Sequence, residues 1–145
     1  MPTTTAVKHV NNGKCPKCQE IFNTYEGFNT DLRAWFESLQ DSHPSAHISC
    51  AGRGKAKQEE AVAKGASRAH YGESAHNFNC AIDLFVMQVG VDLYDRKWFM
   101  EIIEPNLEPF LNWYGKKGAK FYELPHIEVL DWRDLVKQGL AKLVE

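Results

Sequence analysis

The stretch Ser74-Ala75-His76-Asn77-Phe78-Asn79-Cys80-Ala81-Ile82-Asp83 decides how the rest of the chain reads. Its first half is small and polar, the composition of a loop. From Cys80 it enters the apolar run Ala-Ile-Asp-Leu-Phe-Val-Met, which reads as a buried strand over 80–88. An acid inside such a run needs explaining, because an unpaired buried carboxylate is costly. With side chains alternating between faces, Ala81 and Asp83 share one face, and Cys80, Ile82 and Leu84 the other. Asp83 therefore ends on the face to which the loop carrying His76 returns.

A second, shorter stretch is Glu123-Leu124-Pro125-His126, set between strand-like segments at 119–122 and 127–129. The two stretches together offer two imidazoles, a carboxylate that could join them on one metal ion, and a second carboxylate. Imidazole nitrogen and carboxylate oxygen bind Zn2+ at about 2.0–2.2 Å, and three protein ligands leave the fourth tetrahedral position for water. Glu123, three residues before His126, is placed to act as a general base toward that water. Each feature alone is weak: a histidine in an apolar setting is more often structural, and Glu-x-x-His by itself says little.

Elsewhere the sequence mixes helices and strands without regular alternation. Residues 1–28 read as irregular. A helix capped by Asn29 or Thr30 carries Leu32, Trp35, Phe36 and Leu39 on one face and ends at His43-Pro44. A short strand at 46–50 and a helix at 55–64, stopped by Gly65, follow. Asp95 can cap a helix bearing Trp98, Phe99, Ile102 and Ile103, interrupted at Pro105. Asn106 can cap another with Leu107, Phe110, Leu111 and Tyr114 in a stripe and Gly115 at its end. Asp131 caps a last helix with Trp132, Leu135 and Val136, closed by Gly139. This pattern predicts an α+β fold: a small, mainly antiparallel sheet flanked by helices in a single domain, 1–145.

Composition sets the bounds. The 145 residues are 43% hydrophobic and 25% charged, with a formal net charge of -2. That suffices for one real core and gives no basic surplus for nucleic acid. No apolar run approaches the length of about 18 residues needed to span a membrane, so no membrane insertion is expected. No apolar segment follows Met1, so no signal peptide is expected either.

Cysteines stand at 15, 18, 50 and 80. Cys15-Pro16-Lys17-Cys18 suggests half a zinc ribbon or a redox pair, but no second CxxC follows. The spacing allows a site of Cys15, Cys18, His43 and His47. A tight turn with free thiols or a local disulfide is the preferred reading, since the intervening segment reads as one long helix.

The joint pattern Ser74-x-His76-x-x-Asn79-x-Ala81-x-Asp83 followed by Glu123-x-x-His126 resembles the paired signature of the zinc D-alanyl-D-alanine carboxypeptidase and dipeptidase family. That family includes phage endolysins acting as L-alanyl-D-glutamate endopeptidases. The resemblance covers roughly residues 46–130. It implies a hedgehog/D-Ala-D-Ala-peptidase-like fold, one catalytic zinc held by His76, Asp83 and His126, and Glu123 as the general base. Arg53, which follows the strand at 46–50, resembles the family's arginine facing the substrate carbonyl; Ser74 matches the hydroxyl position near the substrate backbone. Asn79 stands where the family has glycine, and asparagine is the next most tolerant residue of a left-handed backbone. Arg68 and His70 flank the motif and could bind the carboxylates of a peptidoglycan stem peptide. Glu128 reads either as a partner for a ligand histidine or as an outward strand residue; Trp113, Tyr114 and Trp132 could line a glycan groove, but their helical spacing favours core.

The function so implied is a zinc peptidoglycan hydrolase of endolysin type, monomeric, made in a host cytoplasm and acting in the periplasm after holin-dependent release. The alternatives are a D-alanyl-D-alanine carboxypeptidase and a non-catalytic zinc-containing binding module.

Overall fold

Regular structure begins earlier than the sequence suggested. In the computed structural model, which describes residues 7–115 and 123–145, helix α1 spans Pro16–Asn23 inside the segment expected to be irregular. Pro16 stands at its first turn, where a fixed φ and a missing N–H cost nothing. Phe22 and Cys18 are buried on it. The short amphipathic turn was hidden among Thr, Asn and Gly.

The stripe read for the next helix is correct. Helix α2 covers Thr30–Ser42, with the Asn29 side chain accepting from the Leu32 N–H. Leu32, Trp35, Phe36 and Leu39 are buried. Strand β1 (Ala46–Cys50), helix α3 (Lys55–Ala63) and strand β2 (Ala81–Val86) also fall where expected. Asp95 caps α4 (Arg96–Trp98), which runs through a π-helical turn (Phe99–Ile103) into α5 (Glu104–Asn106). Pro105 thus sits inside the last turn rather than interrupting the helix. A wider turn before it relieves the clash that its ring makes with the carbonyl four residues back in α geometry.

The helix expected after Asn106 does not form. Leu111–Trp113 is strand β3 instead, with Leu111 and Trp113 buried and Asn112 half-buried, a period of two. Gly115, expected to end that helix, lies against the Trp113 indole so closely that a Cβ would collide with the ring. Strand β4 (His126–Val129) and helix α6 (Trp132–Lys137) complete the order. The strand expected at 119–122 lies outside the described residues.

The sheet order is β1-β2-β4-β3, every pair antiparallel. Ala46, Ile48, Ile82, Leu84, Val86, Ile127 and Val129 are buried in the core with Phe22, Phe36, Phe99, Ile103 and Trp113. By alternation the opposite face carries His47 and Phe85 at one end, and Asp83, His126 and Glu128 at the other. Among the described residues no helix is long and apolar enough to cross a membrane.

Candidate active site

Sheet register does most of the assembly. Asp83 on β2 lies directly opposite His126 on β4, and Cys50, beyond a bulge in β1, lies on its other side. The loop before β2 brings in the third group. Ser74 caps a 3-10 turn (Ala75–Phe78), its hydroxyl accepting from the His76 N–H at 3.3 Å. Asn77 locks the loop, accepting from the Gly72 and Ser74 N–H groups and donating to the Arg53 carbonyl at 2.9 Å. Asn79 then turns the chain into β2 at φ 58°, the left-handed conformation expected of it. Its amide donates to the Glu26 carbonyl at 3.1 Å, so it leans away from the ligand cluster.

Three donor atoms converge. His76 Nε2 is 3.2 Å from Asp83 Oδ1, and His126 Nδ1 is 3.4 Å from the same oxygen. The far nitrogens are committed. His76 Nδ1 is 2.7 Å from the Ala51 carbonyl, which can only accept, so that nitrogen carries the proton. His126 Nε2 is 2.7 Å from Glu128 Oε1 and donates to it. Glu128 is held in turn at its other oxygen by the Tyr114 hydroxyl (3.1 Å) and the Trp132 indole N–H (3.0 Å). The near nitrogens therefore present lone pairs to a carboxylate oxygen. Acceptors facing acceptors at this distance need a cation among them, either protons or a metal ion. Bonds of about 2.0–2.1 Å from a tetrahedral zinc place N and O ligands about 3.3 Å apart, and the His76–Asp83 and His126–Asp83 separations match that spacing.

Charges agree with this. Burial works to raise the Asp83 carboxyl, but the two imidazoles outweigh it and hold it well below the usual carboxylate range. Burial works to lower His76 and His126. Asp83 and Cys50 lift the first well above its ordinary value, and hydrogen bonds to Asp83 and Glu128 lift the second. Burial, with Glu128, pushes the Tyr114 hydroxyl up to about 12, so it stays a donor. Cys50 Sγ is 3.9 Å from His76 Nδ1, the nitrogen already spent on Ala51. Cys50, His76 and Asp83 place ligand atoms within 4.8 Å of one another, so the Cys50 thiol is a further candidate donor beside the two histidines.

The cluster lies at a cleft of about 670 Å3. Of the residues singled out in the sequence, Arg53, Arg68, Ser74, His76, Tyr114, Glu123, His126, Glu128 and Trp132 line it. Arg53 Nη2 is 3.4 Å from Asp83 Oδ2. Glu123 begins the turn that leads into β4, its carbonyl accepting from the His126 N–H at 3.3 Å. His70 does not line the cleft; it is exposed, 3.7 Å from Glu59. Several groups were missed by sequence reasoning. The Ala51 carbonyl has no side-chain signature. Trp132 is core as read, and with Tyr114 it also holds Glu128, a role the sequence did not show. Arg133, stacked 4.5 Å above the Trp132 ring, adds a third guanidinium to the cleft.

No family model and no curated protein matches the sequence. Solved structures do match the fold. The structure of the L-Ala D-Glu endopeptidase ChiX of Serratia marcescens superposes with a TM-score of 0.65 at 21% identity, covering 82% of this chain and 90% of that one. A variant of the vancomycin-resistance D,D-pentapeptidase VanY from a VanB-type cassette, in complex with Zn(II), superposes with a TM-score of 0.50 at 15% identity, covering 77% and 79%. At these identities the likeness is one of fold. The fold is the α+β arrangement expected from the sequence, a small antiparallel sheet with helices, and it resembles the fold of these two proteins.

Proposed function

We propose that this chain is a zinc-dependent peptidase that cleaves the stem peptide of peptidoglycan, at the bond between L-alanine and D-glutamate. One observation carries the reading: His76 Nε2, Asp83 Oδ1 and His126 Nδ1 converge as acceptors at 3.2 and 3.4 Å beside an open cleft. His76, Asp83 and His126 hold the ion. Zinc supplies Lewis acidity toward a carbonyl and lowers the pKa of water. Glu123, at the cleft, takes the proton of the attacking water and returns it to the leaving amine. Arg53 leaves Asp83 to donate to the oxygen that gains charge as the carbonyl is attacked. Ser74 fixes the turn that aims His76. Arg68 and Arg133 are placed for the substrate's carboxylates, which an L-Ala–D-Glu peptide carries close to its scissile bond. The setting as a phage-type lysin rests on the sequence resemblance alone.

Mass spectrometry of fragments released from purified peptidoglycan, with and without a zinc chelator, tests the proposal. Chelator-sensitive release of peptides beginning with D-glutamate is expected. Loss of terminal D-alanine alone would move the cut to the other bond, and no cleavage by folded, zinc-loaded protein would refute the peptidase reading.

A further inference from the structure

At the other end of the same sheet face lies a second donor cluster, remote in sequence from the peptidase motif. His9, Cys15, Cys18 and His47 place four ligand atoms within 4.8 Å of one another. His9 Nδ1 is 3.6 Å from Cys15 Sγ and 3.5 Å from Cys18 Sγ, and His47 Nδ1 is 3.6 Å from Cys18 Sγ. A tetrahedral zinc with Zn–S of about 2.3 Å and Zn–N of about 2.0–2.1 Å sets S and N ligands about 3.6 Å apart. His43, whose spacing had suggested it as a partner of His47, caps the end of α2 and is not in the cluster.

We propose that His9, Cys15, Cys18 and His47 bind a structural zinc ion that ties the N-terminal segment to α1 and β1. The surroundings are built for it. Asn11 donates through its amide nitrogen to the Met87 carbonyl at 2.6 Å, so its oxygen faces His47 Nε2 at 2.7 Å and accepts from it. That fixes the tautomer leaving the His47 Nδ1 lone pair toward the sulfurs. N–H groups point at both sulfurs: Val10 at Cys15 (3.4 Å), and Ile48 and the Gln40 amide at Cys18 (3.4 and 3.5 Å). A thiol accepts weakly and a thiolate strongly, so such donors suit metal-bound sulfur. Burial lowers His47 and His9 and pushes the Cys18 thiol up to about 12, so the ion itself displaces that thiol proton.

Two thiolates, two neutral imidazoles and Zn2+ sum to zero charge, which a site with Cys15, Cys18 and His47 fully buried can hold. Binding releases the two thiol protons to solvent and transfers no electron. Four protein ligands leave no open position, so the role is structural. Cys15 and Cys18 are free thiols, and the four-residue turn serves the ion rather than a disulfide.

Zinc content per chain, measured by mass spectrometry of the full-length protein purified under reducing conditions, is the test. Two ions are expected. The His76→Ala/His126→Ala variant should keep one, and Cys15→Ser/Cys18→Ser should lose one. Because the serine variant could fail to fold, cobalt loading of the His76→Ala/His126→Ala variant is read in parallel. A thiolate-to-cobalt charge-transfer band with intense tetrahedral d–d bands is expected. Its absence, or a Cys15–Cys18 disulfide in the reduced preparation, would overturn the proposal. Failure of the peptidase reading would show differently, as one ion per chain that is lost with the cysteines and kept without His76 and His126.

Discussion

Glu128 links the sheet to the site's chemistry. It takes the His126 proton on one oxygen and two fixed donors on the other. Glutamine has the same shape but one acceptor fewer, so Glu128→Gln must turn an amide N–H toward either His126 or Trp132. Partners of this kind typically contribute about 10- to 100-fold in metal affinity. That loss is expected for Glu128→Gln in competition with a chromophoric chelator; unchanged affinity would reduce Glu128 to packing. Glu123→Gln should behave oppositely. The zinc should stay, and kcat should fall about 10^2- to 10^4-fold, the usual contribution of a positioned base. Normal turnover in that variant would remove Glu123 from the base role. Side-chain motifs picked out His76, Asp83 and His126, which the fold brings side by side. The Ala51 carbonyl and the Tyr114–Glu128–Trp132 bonds were not legible in the sequence, because main-chain acceptors and contacts made by folding leave no spacing to read.

At the scale of elements, the turn into β2 is the sensitive joint. Asn79 stands alone among the described residues as a non-glycine at positive φ, and its amide bonds the Glu26 carbonyl. Its Oδ1 is buried without a partner, beside Gly52. Asn79→Gly keeps the turn, loses one hydrogen bond and removes the orphan oxygen, so stability should change by less than about 1 kcal/mol. Asn79→Ala loses the bond and adds left-handed strain, together costing about 2 kcal/mol. Chemical denaturation separates the two. Equal losses would show that the bond to Glu26, not the backbone, is what asparagine supplies. Elements with local signatures were readable: the Asn29 cap with its apolar stripe, the apolar run around Asp83, and Gly65 as a stop. β3 was not. Leu107, Phe110, Leu111 and Tyr114 fit a helical period, but Leu111 and Trp113 are claimed by pairing with Val129 and Ile127, a contact between segments that no local window contains.

The whole molecule places a cation-seeking cluster at each end of one sheet face, and their titrations oppose each other. Consider the metal-stripped protein. His76 and His126 are raised above the ordinary histidine value of 6.5 in the folded state, so their stabilisation is fully present below 6.5 and is lost as pH rises through the raised values. His47 is lowered to about 4, so the fold loses stability as pH falls from 6.5 toward 4, where the unfolded chain binds the proton and the folded one does not. Asp83 is depressed from 3.8, and its contribution, present above that value, is lost at still lower pH. Stability of the stripped protein should therefore peak near pH 6.5 and decline on both sides. The proposed zinc would act mostly on the alkaline side. It binds deprotonated ligands, so its stabilisation grows as protons leave. Thermal midpoints across pH 5–9 with and without chelator should coincide most nearly at the acid end and diverge above 6.5. A stripped protein that keeps gaining stability above pH 6.5 would mean that protons do not stand in for the metal among His76, Asp83 and His126.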